Sequence, residues 1–80
     1  MNLVEYSEYL VKNLVDDPDM IKVKDFETDG STIIEILVSE SDMSKVIGKK
    51  GKIANSIKTL IQTKAYLDGI KDVKVNIDSF

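Results

Sequence analysis

The chain has 80 residues and a net charge of −3, with 11 basic residues, all of them lysine, against 14 carboxylates, so it makes one small domain with a single modest core. It contains no cysteine and no histidine, which excludes disulfides, thiol catalysis and the usual zinc clusters. No stretch is long and apolar enough to span a bilayer, and the N-terminus lacks a basic segment followed by an apolar one, so cytoplasm is the expected compartment.

Residues 3–15 place Leu3, Tyr6, Leu10 and Leu14 at the spacing of an amphipathic helix, with Val4, Val11 and Val15 beside them. The spacing predicts a helix over about 2–15, ended by Asp16-Asp17-Pro18-Asp19, because a residue before proline avoids helical geometry. Met20 to Thr28 reads as a strand. Phe26 falls out of its alternation, leaving a bulge or face switch near Asp25 open. Asp29-Gly30 is a strong hairpin signal. Ser31 to Val38 follows as a second strand, with Ile34, Ile36 and Val38 on one face and Ile33 and Leu37 on the other. Ser41 or Asp42 is placed to cap a short helix carrying Met43, Val46 and Ile47. A longer helix then holds Ile53, Ile57, Leu60, Ile61 and Ala65 in phase to about Leu67, where Asp68-Gly69 stops it. Val73, Val75 and Ile77 alternate with polar residues in a last, half-buried strand. The order is α-β-β-α-α-β, an α+β two-layer sandwich of three strands in one sheet with the helices on one face.

The chemistry concentrates between the two inner helices, in Val46-Ile47-Gly48-Lys49-Lys50-Gly51-Lys52. Glycine permits positive φ and lets another molecule approach the backbone. The first amides of a helix lack intrahelical partners and sit at the positive end of its dipole. Together these features suit an anion. The charge distribution agrees. Lys45, Lys49, Lys50, Lys52, Lys58 and Lys64 lie between Met43 and Tyr66 with no acid among them, so every carboxylate lies elsewhere. Such asymmetry inside an acidic chain points to an anionic partner.

Val46-Ile47-Gly48-Lys49-Lys50-Gly51-Lys52-Ile53, set between two helices inside β-α-α-β, resembles a KH domain. The leading helix and strand are similar to the type II arrangement, with a three-stranded mixed sheet. The whole chain, from Tyr9-Leu10-Val11-Lys12 through Asp42-Met43-Ser44-Lys45, resembles the small stand-alone bacterial KH proteins of the KhpA type. The resemblance implies one KH domain over 1–80, with its β-α-α-β core at about 31–78. It implies a G-x-x-G loop that clamps about four nucleotides of a single RNA strand. Gly48 and Gly51 then allow close approach, and Lys49, Lys50 and Lys52 contact phosphates. Exposed parts of Val46, Ile47 and Ala54 form the floor of an apolar groove. No cofactor and no metal are expected. Implied partners are single-stranded RNA, with single-stranded DNA left open, and either a second copy or a larger Jag-type KH protein. The implied role is post-transcriptional regulator or RNA chaperone.

The residues also carry plainer readings. Ile53, Ile57, Leu60 and Ile61 are at core spacing, and one of the adjacent Val46 and Ile47 is expected to face inward. The aromatics lie outside the loop, so bases would rest on aliphatic groups rather than on rings. Lysine holds phosphate as a point charge, without arginine's planar fork, which favours loose sequence preference. A phosphate-binding loop of the Walker type needs four residues between its glycines and then Lys-Ser/Thr. Here two residues intervene and Ile53 follows Lys52. With no histidine, cysteine or nearby carboxylate to move a proton, an enzyme is not expected. An interaction module, with RNA binding secondary, is the competing function.

Overall fold

The computed structural model describes all residues 1–80. The elements are α1 (Leu3–Lys12), β1 (Ile21–Thr28), β2 (Ser31–Val38), α2 (Met43–Ile47), α3 (Lys52–Leu67) and β3 (Val73–Ser79). Single 3-10 turns at Glu40–Asp42 and Lys49–Gly51 precede α2 and α3. The sheet has the order β1-β2-β3, with β1 antiparallel and β3 parallel to the central β2. A mixed sheet with its helices on one side is the expected architecture, and it is what forms.

α1 begins at a reciprocal cap. The Asn2 side chain accepts from the Glu5 amide at 2.8 Å, and the Glu5 carboxylate accepts from the Asn2 amide at 3.1 Å. The helix ends at Lys12, short of the expected residue 15. The Asn13 amide side chain donates to the Tyr9 carbonyl at 2.6 Å, and Leu14 N–H turns to the Val11 carbonyl at 2.9 Å. A short polar side chain competing for the backbone thus tightens and closes the last turn before the aspartates are reached.

β1 pairs with β2 without a break, from Ile21↔Val38 to Thr28↔Ser31. Asp29 and Gly30 turn between them with φ of 51° and 80°, the double positive φ of a tight hairpin. There is no bulge at Asp25. The register instead sets Asp25 opposite Ile34 and leaves Phe26 beside Ile33, on the face away from the helices. Phe26 remains 47% exposed there. A charged residue on the helix side is tolerated because β1 is exposed from Lys24 onward, Asp25 included.

Ile34, Ile36 and Val38 of β2 are fully buried against Val11, Ile57, Ile61 and Ala65, with Val75 of β3 completing the layer. Each such aliphatic side chain stabilises the fold by about 1.5–3 kcal/mol relative to exposure. Ile33 and Leu37, on the outer face, are half-buried between the flanking strands. α3 ends at Leu67, and Gly69 just beyond it, with φ of 84°, lets Ile70 N–H reach back to the Ala65 carbonyl at 2.9 Å.

Candidate nucleic-acid interface

The loop between α2 and α3 is built by three left-handed residues. Gly48 ends α2 at φ 75°, ψ 179°, a conformation essentially restricted to glycine. Its N–H still donates to the Ser44 carbonyl at 3.0 Å, so it closes the helix and redirects the chain in one step. Lys50 (φ 57°, ψ 25°) and Gly51 (φ 75°, ψ 15°) are both left-handed. Gly51 N–H closes the turn on the Gly48 carbonyl at 3.2 Å. Lys52 then opens α3 with no side chain capping it. Lys52 N–H donates back to the Lys49 carbonyl, so the turn runs straight into the 16-residue helix, and the positive end of its dipole lies at the loop with no side chain over it.

The two glycines differ in what they permit. A Cβ on Gly48 would sit 2.6 Å from Ile53 Cγ1 and 2.9 Å from its Cδ1, so the Ile53 side chain closes directly over the Gly48 backbone. A Cβ on Gly51 would meet nothing within 4 Å. Gly48 locks the loop to α3, whereas Gly51 keeps its outer side open.

Lys49, Lys50 and Lys52 are exposed. None of them joins an ion pair, whereas Lys45 pairs with Asp16 at 3.1 Å and Lys64 with Asp68 at 2.8 Å. The uncompensated charge of the lysine block thus gathers at the loop, with Lys58 further along α3.

The apolar floor differs from expectation. Val46 is fully buried and Ala54 is 6% exposed. Both face inward: Val46 is the one buried residue of the five-residue α2, and Ala54 lies on the buried face of α3 with Ile57 and Ile61. Neither has surface to offer a base. Ile47 is partly exposed, and so is the backbone of Gly48 and Gly51. Ile57 and Ile61 are core, as their spacing predicts, but Ile53 is half-buried and Leu60 is 45% exposed. The open apolar surface beside the loop lies instead between α1 and α3. It is a cleft of about 340 Å³ lined by Leu10, Leu14, Ile53, Ile57 and Leu60, with Lys52 and Ser56 at its polar side. Nothing in the spacing of Leu10 and Leu14 distinguishes cleft from core, since both satisfy the same helical period.

Of the two candidate caps for α2, Ser41 and Asp42, neither bonds the helix, and Asp42 serves elsewhere. It occupies the N-cap position of α2 without bonding that helix's amides. Its carboxylate instead accepts from Asp16 N–H and Asp17 N–H, each at 3.1 Å, and from Ser39 Oγ at 3.1 Å. The amide of Asp16 first, then that of Asp17, the Ser39 hydroxyl and nearby Lys45 hold its pKa below the ordinary carboxylate value despite the opposing effect of burial.

Comparison with known proteins places the chain among relatives. A family model described as KhpA/KhpB, KH domain matches residues 5–77. The chain is 47% identical over 60 residues to a protein of Borreliella burgdorferi named RNA-binding protein KhpA, covering 75% of this chain and 73% of the relative. A protein of the same name from Caldanaerobacter subterraneus is 44% identical over 61 residues, or 76% and 81% of the two chains. Among solved structures, Era in complex with MgGDPNP and nucleotides 1506–1542 of 16S ribosomal RNA superposes with a TM-score of 0.69 at 24% identity. That match takes in 96% of this chain but only 29% of the longer Era chain, and it attests the fold.

Proposed function

The chain belongs to the KhpA/KhpB family of KH domains, and from that premise and the loop's geometry we propose that it binds single-stranded RNA without catalysing a reaction on it. The observation that carries this reading is the pairing of left-handed glycines with uncompensated lysines at an uncapped helix start. Loop amides and the ammonium groups of Lys49, Lys50 and Lys52 hold successive phosphates, and Gly48 and Gly51 let the strand lie against the backbone. Ile47 supplies the remaining aliphatic surface on this side, while Val46 and Ala54 support the loop from beneath. Lysines without arginine make this a reader of backbone more than of sequence. The relatives' names as RNA-binding proteins agree with the ligand class. In the cell, such binding suits a post-transcriptional regulator or RNA chaperone of the cytoplasm. Titrating a short unstructured RNA at several salt concentrations tests the reading. With about four phosphates neutralised, log affinity falls against log salt with a slope near roughly −3. A flat salt dependence overturns it.

A second reading treats the chain as an interaction module that pairs with its own copy or with a larger Jag-type KH protein. An apolar stripe on α3 favours it. Ile53, Leu60 and Leu67 recur every seventh residue, and Leu60 and Leu67 are 45% and 75% exposed. Self-association buries this stripe, and two joined loops gain RNA affinity through effective concentration. Leu60→Asp is expected to shift a dimer to monomer in a sizing experiment. A wild-type chain that remains monomeric alone and with a Jag-type partner contradicts this reading and leaves the first intact.

A further inference from the structure

Asp42 and Ser7 are the buried polar side chains of this fold, at 1% and 0% exposure. Ser7 is satisfied locally, donating to the Leu3 carbonyl one turn back in α1 at 2.8 Å. Asp42 is different. It stands at the root of α2 and spends its carboxylate on amides 26 and 25 residues away in sequence, those of Asp16 and Asp17. A second tie runs parallel to it, from Lys45 Nζ on α2 to Asp16 Oδ2 at 3.1 Å. α2 itself has five residues, no side-chain cap and one fully buried residue, Val46. So short a helix does not hold its own direction. It is fixed by Val46 from below, by α3 beyond the loop, and at its start by this double clasp to the segment that follows α1.

We propose that Asp42 is a positioning residue for RNA recognition: its carboxylate clamps the Asp16–Asp17 segment to the root of α2 and so sets the pose of the Gly48–Gly51 loop. The proposal rests on the loop being the RNA site. The N-terminal helix then contributes to binding without touching the ligand, because the backbone that leaves it is the anchor for α2. Asp42 also has the chemistry for this task. Two inward-facing amides and a hydroxyl need an acceptor with two equivalent oxygens, which a carboxylate provides and a carboxamide does not.

Asp42→Asn keeps the side chain's size but turns one acceptor into a donor that faces a donor. Its affinity for a fluorescein-labelled single-stranded RNA of mixed sequence is measured where circular dichroism shows the variant folded. Ser7→Ala, a buried change outside the clasp, serves as the control for general destabilisation. Asp42→Asn is expected to weaken binding about tenfold and to shift the amide resonances and hasten the exchange of Gly48 to Lys52. Ser7→Ala leaves both readouts at wild-type values. Should Asp42→Asn fail to fold, Ser39→Ala removes one of the three bonds to the carboxylate and is expected to shift the same amides with a smaller loss of affinity. Unchanged affinity and unchanged loop amides in the folded variant overturn the proposal. That outcome is distinguishable from failure of the underlying reading, in which exchanging the loop lysines for aspartate leaves wild-type binding unaltered.

Discussion

Replacing Lys49 and Lys50 together by aspartate is expected to abolish measurable RNA binding while leaving the fold as stable as before. Both side chains are exposed and carry no ion pair, so nothing in the fold depends on their charge. Lys50 is held left-handed at φ 57°, a region where aspartate is more at ease than lysine. The binding side behaves oppositely. Two charge-assisted contacts of about 1.5 kcal/mol or more each are lost, which alone weakens affinity by about 100-fold. The new carboxylates then repel the phosphates that the neighbouring amides would hold. Fluorescence anisotropy with labelled RNA and a thermal melt of the same samples check both halves. A variant that melts normally and still binds contradicts the assignment of the loop.

Gly48→Ala is expected to cost about 2–4 kcal/mol of stability, and Gly51→Ala only about 1 kcal/mol. Both residues have φ of 75°, but with ψ of 179° Gly48 lies in a region essentially restricted to glycine, whereas Gly51, with ψ of 15°, is in the left-handed region that other residues enter at modest cost. Ile53 widens that difference. A methyl group on Gly48 meets Ile53 Cγ1 at 2.6 Å and Cβ at 3.0 Å. Contact so near the root of a β-branched side chain is not relieved by swinging its far end. Either Ile53 leaves its place beside the core or the loop lifts off α3. Gly51 faces open space, and only its left-handed φ is penalised. A domain of this size has only a few kcal/mol in hand, so Gly48→Ala leaves a substantial unfolded population. Urea denaturation of the two variants measures the gap. Equal losses contradict the close packing of Gly48 beneath Ile53.

Much of the architecture is legible without coordinates, because its signals are local. Asp29-Gly30 admits one tight hairpin, which sets the end of β1 and the start of β2 at the residues observed. Gly69 likewise stops α3 where its positive φ closes the last turn. The loop itself is readable because glycine at 48 and 51 answers a backbone demand that no other residue meets as cheaply. What escapes is whatever depends on a partner distant in sequence. Asp42 looks like a cap for its own helix, and only the fold brings the amides of Asp16 and Asp17 within its reach. Val46 and Ala54 sit next to the loop in sequence and invite a role in contact, yet helix phase turns both into the core. Leu60 shares its period with Ile57 and Ile61, yet it falls at the rim of that helix face and stays 45% exposed. Phe26 breaks the alternation of β1 without bending it, since the strand is exposed from Lys24 onward and accepts Asp25 on the helix side.

The central claim is that RNA lies on the turn joining α2 to α3, and backbone amide mapping of the labelled protein tests it most directly. As a short single-stranded RNA is added, the resonances of Gly48, Lys49, Lys50, Gly51, Lys52 and Ile53 are expected to move progressively and saturate together. Those of the Asp29-Gly30 hairpin are expected to stay still. Saturable shifts confined to the sheet's outer face around Phe26 and Ile33, with the turn unmoved, would contradict the account.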